Sequence, residues 1–171
     1  MEAEINIKSD NNIIQLKRNE NILRLRIKDE EGNDTGNFLE FNLEDIELPI
    51  RYQEIIEADK KNRLDLKNKY AIIDKKQDHK GKKLLSSNEE ARIKATIEFY
   101  KKEVEIYNMF LGKNGVEKLL NGRQLSWGTL QEIDEIIEQV IVPKLEISAE
   151  NIKNKIMKKY GKEEKRDDVI E

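Results

Sequence analysis

The chain has 171 residues, enough for one domain with a modest core and too few for a second full domain. Its 32 basic and 35 acidic residues nearly cancel, which argues against bulk attraction to nucleic acid or to an anionic membrane. It has no cysteine, so disulfides and thiolate metal sites are excluded and a reducing compartment is suggested. The first ten residues, MEAEINIKSD, do not read as a signal peptide, and no apolar run is long enough to span a membrane, so a cytoplasmic protein is expected.

Residues 13–42 read as β structure. Ile13–Lys17 is a short candidate strand. In Asn21–Asp29, Leu23, Leu25 and Ile27 alternate with Arg24, Arg26 and Lys28, as in a half-buried strand. Glu30–Gly36 has turn chemistry, and Asn37–Asn42 alternates again, so a β-hairpin is predicted. A lone hairpin is marginal, so this one should pack on helices or a third strand.

Pro49 suits a first helical position, and a helix is predicted from there to about Ile73. Its apolar positions are Tyr52, Ile55, Ile56, Leu66, Tyr70 and Ile73. Glu57–Asn62 between them is polar all round, so the helix is either held at both ends or broken near Asn62. Asp74–Asn88 reads as a flexible loop, with Asn88 able to cap the helix that follows.

That helix, Glu89–Leu111, carries the strongest pattern. Ile93, Ile97, Tyr100, Val104, Tyr107 and Leu111 are spaced 4, 3, 4, 3, 4, a heptad-like seam, with Phe99, Ile106 and Phe110 as a second stripe beside it. The seam is either ordinary core or a face that pairs with a partner. Gly112 is a natural stop. A short helix, Val116–Leu120, comes next, then Leu130–Val142, with Ser126 able to cap it and Pro143 expected to end or kink it. A last helix is predicted over Ser148–Tyr160, and 162–171 reads as a charged, disordered tail. Trp127, the only tryptophan, is either a core anchor or an interface anchor. The fold class predicted is α+β, mostly α: one domain over 1–161, with a hairpin of two or three strands followed by a bundle of four or five helices.

The sequence carries no recognisable catalytic or cofactor-binding motif. His79 is the only histidine and lies among lysines, whereas zinc needs three or four such ligands. Gly112, Gly115 and Gly122 form no phosphate-binding loop. Acid–base pairs such as those around Glu103 read as helix-surface ion pairs. Lys75–Lys83 could touch phosphates, but no aromatic residue is interleaved to stack on bases, and a solvated loop is the plainer reading. No catalytic residue, metal or cofactor is expected, and the protein is expected not to be an enzyme.

Three segments resemble the tail assembly chaperones of phages and phage-tail-like particles of Gram-positive bacteria: DEEGNDTGNFLEFNLEDIELPIRYQEI (29–55), KNKYAIIDKKQDHKGKKLLSSNEEARIKA (67–95) and FYKKEVEIYNMFLGKNGVEKLLNGR (99–123). The order of hairpin, Leu-Pro, long helices, "FLG…G" turn and Leu130–Leu145 helix also fits, over about residues 20–147. The likeness is one of layout, with no catalytic motif in it. It implies a helical, self-associating protein that binds the tape-measure protein, with the tail tube protein as a further partner. Its task would be to keep the tape measure soluble while the tube polymerises, with no role for membrane or nucleic acid. Ile93, Ile97, Phe99, Tyr100, Val104, Tyr107, Phe110, Leu111 and Trp127 are the candidate protein-interaction residues. The alternatives are a structural subunit of the tail or baseplate and, behind it, a nucleic-acid-binding regulator.

Overall fold

The computed structural model describes residues 21–160; the candidate strand Ile13–Lys17 and the charged tail lie outside the described residues. Two strands, β1 (Ile22–Lys28) and β2 (Asp34–Asn42), form an antiparallel hairpin in which Leu23 faces Phe41 and Leu25 faces Leu39. The alternation sends Leu39 and Phe41 into the core, both 2% exposed. It leaves Phe38 on the outer face, where the Arg24 guanidinium lies 4.5 Å over its ring. The turn is tighter than expected. Asp29 accepts hydrogen bonds from the backbone N–H groups of Glu31 and Asn33, closing the chain within five residues. Asp34–Gly36 belongs to β2 as an irregularity in register, with Gly36 at φ +74° taking up the extra length.

Helix α1 (Leu48–Asp74) begins with Pro49 in its first turn and runs unbroken through Asn62. The reason is that its polar middle is not solvated all round. Asn62 lies on the same line as the buried Ile55, Leu66 and Ile73 and is itself 6% exposed. Helix α2 (Ser87–Leu111) packs along α1. Its N-cap is Ser86, not Asn88: the Ser86 hydroxyl accepts from the Glu89 N–H and the Glu89 carboxylate accepts from the Ser86 N–H. Asn88 instead donates its side-chain amide to the Lys76 carbonyl, and Asp78 accepts from the Asn88 N–H and the Ser87 hydroxyl. These bonds tie the lysine-rich loop to the start of α2.

Gly112 (φ +85°) ends α2, and the short α3 (Gly115–Leu120) folds straight back on it. A Cβ on Gly115 would stand 2.4 Å from the Leu111 Cβ, so only glycine allows this approach. Helix α4 (Trp127–Ile136) is capped by Ser126 and Thr129. It does not stop at Pro143. Residues Ile137–Ile141 form a π-helical turn, and α5 (Val142–Tyr160) continues from it. Proline clashes with the carbonyl four residues back and cannot donate to it. The wider turn just before Pro143 absorbs that conflict, with the Val142 N–H reaching five residues back to the Ile137 carbonyl. The expected separate helix from Ser148 is therefore part of one longer run.

The core sits where the hairpin, the C-terminal half of α2, α3 and α4 converge. Phe110 stacks at 5.5 Å on Phe41 and 5.3 Å on Tyr52, and Val116, Leu130, Ile133 and Ile141 are almost fully enclosed. The fold is α+β and mostly helical, with the hairpin leading.

Candidate protein-binding site

Helix α2 has two lines of apolar residues, and the structure separates them. Ala95, Phe99, Phe110 and the half-buried Ile106 point inward at α1 and the hairpin. The heptad-like seam lies about a third of a turn away on the flank. At its C-terminal end α3 and α4 fold over that flank, so Tyr107 and Leu111 are buried at 4% and 3% exposure. At its N-terminal end Ile93 and Ile97 remain 45% and 50% exposed. Tyr100 and Val104 are half-buried between the two ends.

Trp127 extends this open row. It is the first residue of α4, and its ring centroid lies 6.2 Å from that of Tyr100 and 5.3 Å from that of Phe99. The Arg63 guanidinium, 5.6 Å from the indole, steadies its α1 side. Even so, Trp127 is 51% exposed. A continuous strip Ile93–Ile97–Tyr100–Trp127 thus stands at the surface, aromatic at one end and aliphatic at the other. Of the nine residues singled out in the sequence, Phe99, Tyr107, Phe110 and Leu111 are interior. Ile93, Ile97, Trp127 and, in part, Tyr100 and Val104 are reachable by a partner.

Beneath the strip lies a polar cluster that the sequence reading missed. Glu103, read as a surface ion-pair residue, is fully enclosed at 0% exposure. It occupies the inward line of α2 between Phe99 and Ile106. The Asn62 amide of α1 donates to one Glu103 oxygen and, at 3.2 Å, to the Phe99 carbonyl. The second Glu103 oxygen has no donor among the described residues. Burial, reinforced by the neighbouring Asp59 carboxylate, pushes the Glu103 carboxyl up to about 8. Near neutral pH it is therefore mainly the acid, beside the Asp59 carboxyl group. Arg63 binds Asp59 at 2.6 Å and Asp134 of α4 at 3.0 Å, and Asp134 accepts from the Tyr107 hydroxyl. Burial first and that bond second raise the Tyr107 phenol well above its ordinary value. One positive charge between two carboxylates, with a neutral acid and a neutral phenol, gives a paired network tying α1, α2 and α4 in register. The signal that would have exposed it was spacing: Glu103 and Asn62 both fall on otherwise apolar helical lines.

No protein-family model, curated protein or solved structure matches the chain. Among the described residues, no group of three or more His, Cys, Asp and Glu could hold a metal ion. No described helix is long and apolar enough to cross a membrane. His79 is exposed in the loop before α2, remote in sequence from the Arg63–Glu103–Asp134 cluster. Asp59, Arg63, Tyr107 and Asp134 border an open depression of about 380 Å³, but their polar groups point at one another across the helix interfaces. The arrangement offers a partner an apolar strip on a rigidly registered helix pair.

Proposed function

We propose that this protein is an assembly chaperone for phage-type tails, binding apolar helical segments of the tape-measure protein along α2. The observation that carries the reading is the exposed strip Ile93–Ile97–Tyr100–Trp127. Its 4, 3 spacing matches that of an amphipathic helix laid alongside, the helix-in-groove mode of recognition. Tryptophan and tyrosine at one end supply the kind of anchor that dominates such interfaces. The resemblance of residues 29–55, 67–95 and 99–123 to tail assembly chaperones supplies the client's identity. A tape-measure chain before assembly exposes long apolar helical faces and tends to aggregate. A host-cytoplasmic binder with 39% charged residues would keep the complex soluble.

Co-expression with the tape-measure protein tests this. The client's soluble fraction should rise with the wild-type chain and fall back with Ile97→Asp. An unchanged soluble fraction with the wild type would refute the reading. Recovery of this chain in purified particles would instead favour a structural subunit.

A further inference from the structure

Helix α5 outruns the body. Val142 and Leu145 are half-buried against the core, whereas the described side chains from Glu146 onward are exposed, Ser148 excepted. Fifteen residues at the α-helical rise carry the helix about 22 Å further. In sequence this stretch is not a random polar extension. Val142, Leu145, Ala149, Ile152 and Ile156 are spaced 3, 4, 3, 4, a narrow two-per-heptad seam of the kind that pairs helices. A helix of this length standing alone is marginal in water. At its base the seam opens onto an apolar groove of about 200 Å³ between α5 and the start of α1, lined by Leu48, Pro49, Tyr52, Phe110 and Leu145.

We propose that this seam pairs with the same seam of a second copy, the two α5 helices running antiparallel. The charges beside the seam select the partner and its direction. Glu146 and Lys153, both exposed, occupy the flanking positions that immediately follow Leu145 and Ile152. In an antiparallel pair those positions face each other, so Glu146 of each copy meets Lys153 of the other, twice by symmetry. A parallel, in-register pair would set Ile141 beside Glu146 and Ser148 beside Lys153, with no complementary contact. Ala149, small and near the centre, lets the helices approach closely. The tip of the second copy's α5 then reaches the groove at Leu48 and Phe110. This surface is separate from the α2 strip, so the protein can self-associate and hold a client at once. The self-association it specifies stands whatever the client is.

Sedimentation equilibrium of the full chain over a wide concentration range tests the pairing, using surface substitutions that leave the core untouched. The wild type should dimerise. Lys153→Glu and Glu146→Lys should each weaken the dimer about ten-fold, because each turns two attractions into two repulsions. The double variant Glu146→Lys/Lys153→Glu should restore it to near the wild-type value. A wild-type monomer, single variants that dimerise like wild type, or a double variant no better than the singles would each overturn the proposal. None of these results bears on client capture by α2, which the Ile97→Asp co-expression experiment reads separately.

Discussion

Replacing Glu103 by glutamine isolates the buried acid at the α1–α2 contact. Glutamine keeps the shape, with a carbonyl where the Asn62 amide donates and an amide group towards Asp59. What it removes is titration. The folded carboxyl is pushed up to about 8, against 4.5 for the unperturbed group. Folding therefore takes up a proton wherever the unfolded chain has lost it. Stability is greatest below the unfolded value, falls as pH rises between the two values, and levels off above about 8. One proton corresponds to about 1.4 kcal/mol per pH unit, so the wild type should lose about 2 kcal/mol between pH 6 and pH 7.5. The carboxylates held low by hydrogen bonds, such as Asp45 with Arg51 and Asp78 with the Asn88 N–H, lose their contribution only in acid and do not overlap this window. Urea denaturation of both proteins from pH 5.5 to 8.5 is the assay. The difference in stability should move by about 3 kcal/mol in favour of Glu103→Gln between pH 5.5 and pH 8. Parallel pH profiles would refute the argument, since they would mean that Glu103 does not carry the proton.

Five further substitutions probe the α2–α3 corner, the cap of α2 and the exposed strip. Gly115→Ala should cost about 1–3 kcal/mol in urea melts, because its Cβ would press on the Leu111 Cβ at the α2–α3 corner. Ser86→Ala should cost about 1 kcal/mol by removing the hydroxyl that caps α2, and Asn88→Ala, which leaves that cap intact, should cost less in the same melts. Ile97→Asp should leave the melting transition within about 1 kcal/mol of wild type while abolishing client capture in a pull-down, and Trp127→Ala, which also loses the ring contacts with Phe99 and Tyr100, should abolish capture at a cost of about 2–3 kcal/mol.

The hairpin, the start of α1 at Leu-Pro and the span of α2 were legible because local rules agree there. Alternation, proline placement and acids in a first helical turn all point the same way. Three features were not legible, for three reasons. The Asp34–Gly36 irregularity looks like turn sequence, because glycine at positive φ serves turns and bulges alike. Pro143 looks like a terminator, because whether a helix survives proline depends on the turn before it, here the π-helical one at Ile137–Ile141. Glu103 looks like surface in a chain so rich in charge, although it falls on an apolar line of α2, and the pairing with Asn62 that satisfies it there comes only with the packing of two helices. The candidate site was half legible. The seam on α2 is real as a row of residues, but its exposure is decided by α3 and α4, which cover Tyr107 and Leu111 and stop short of Ile93 and Ile97. No one-dimensional pattern on α2 contains that boundary.

Trp127 lies at the aromatic end of the strip and is the only tryptophan in the chain, so its emission reports the proposed interface directly. Titration of the protein with a tryptophan-free amphipathic segment of the tape-measure protein, followed by fluorescence, tests the central claim. A saturable blue shift is expected as the half-exposed indole is covered, and its loss in Ile97→Asp. Binding by calorimetry with no change in Trp127 emission, or an undiminished shift in Ile97→Asp, would contradict it.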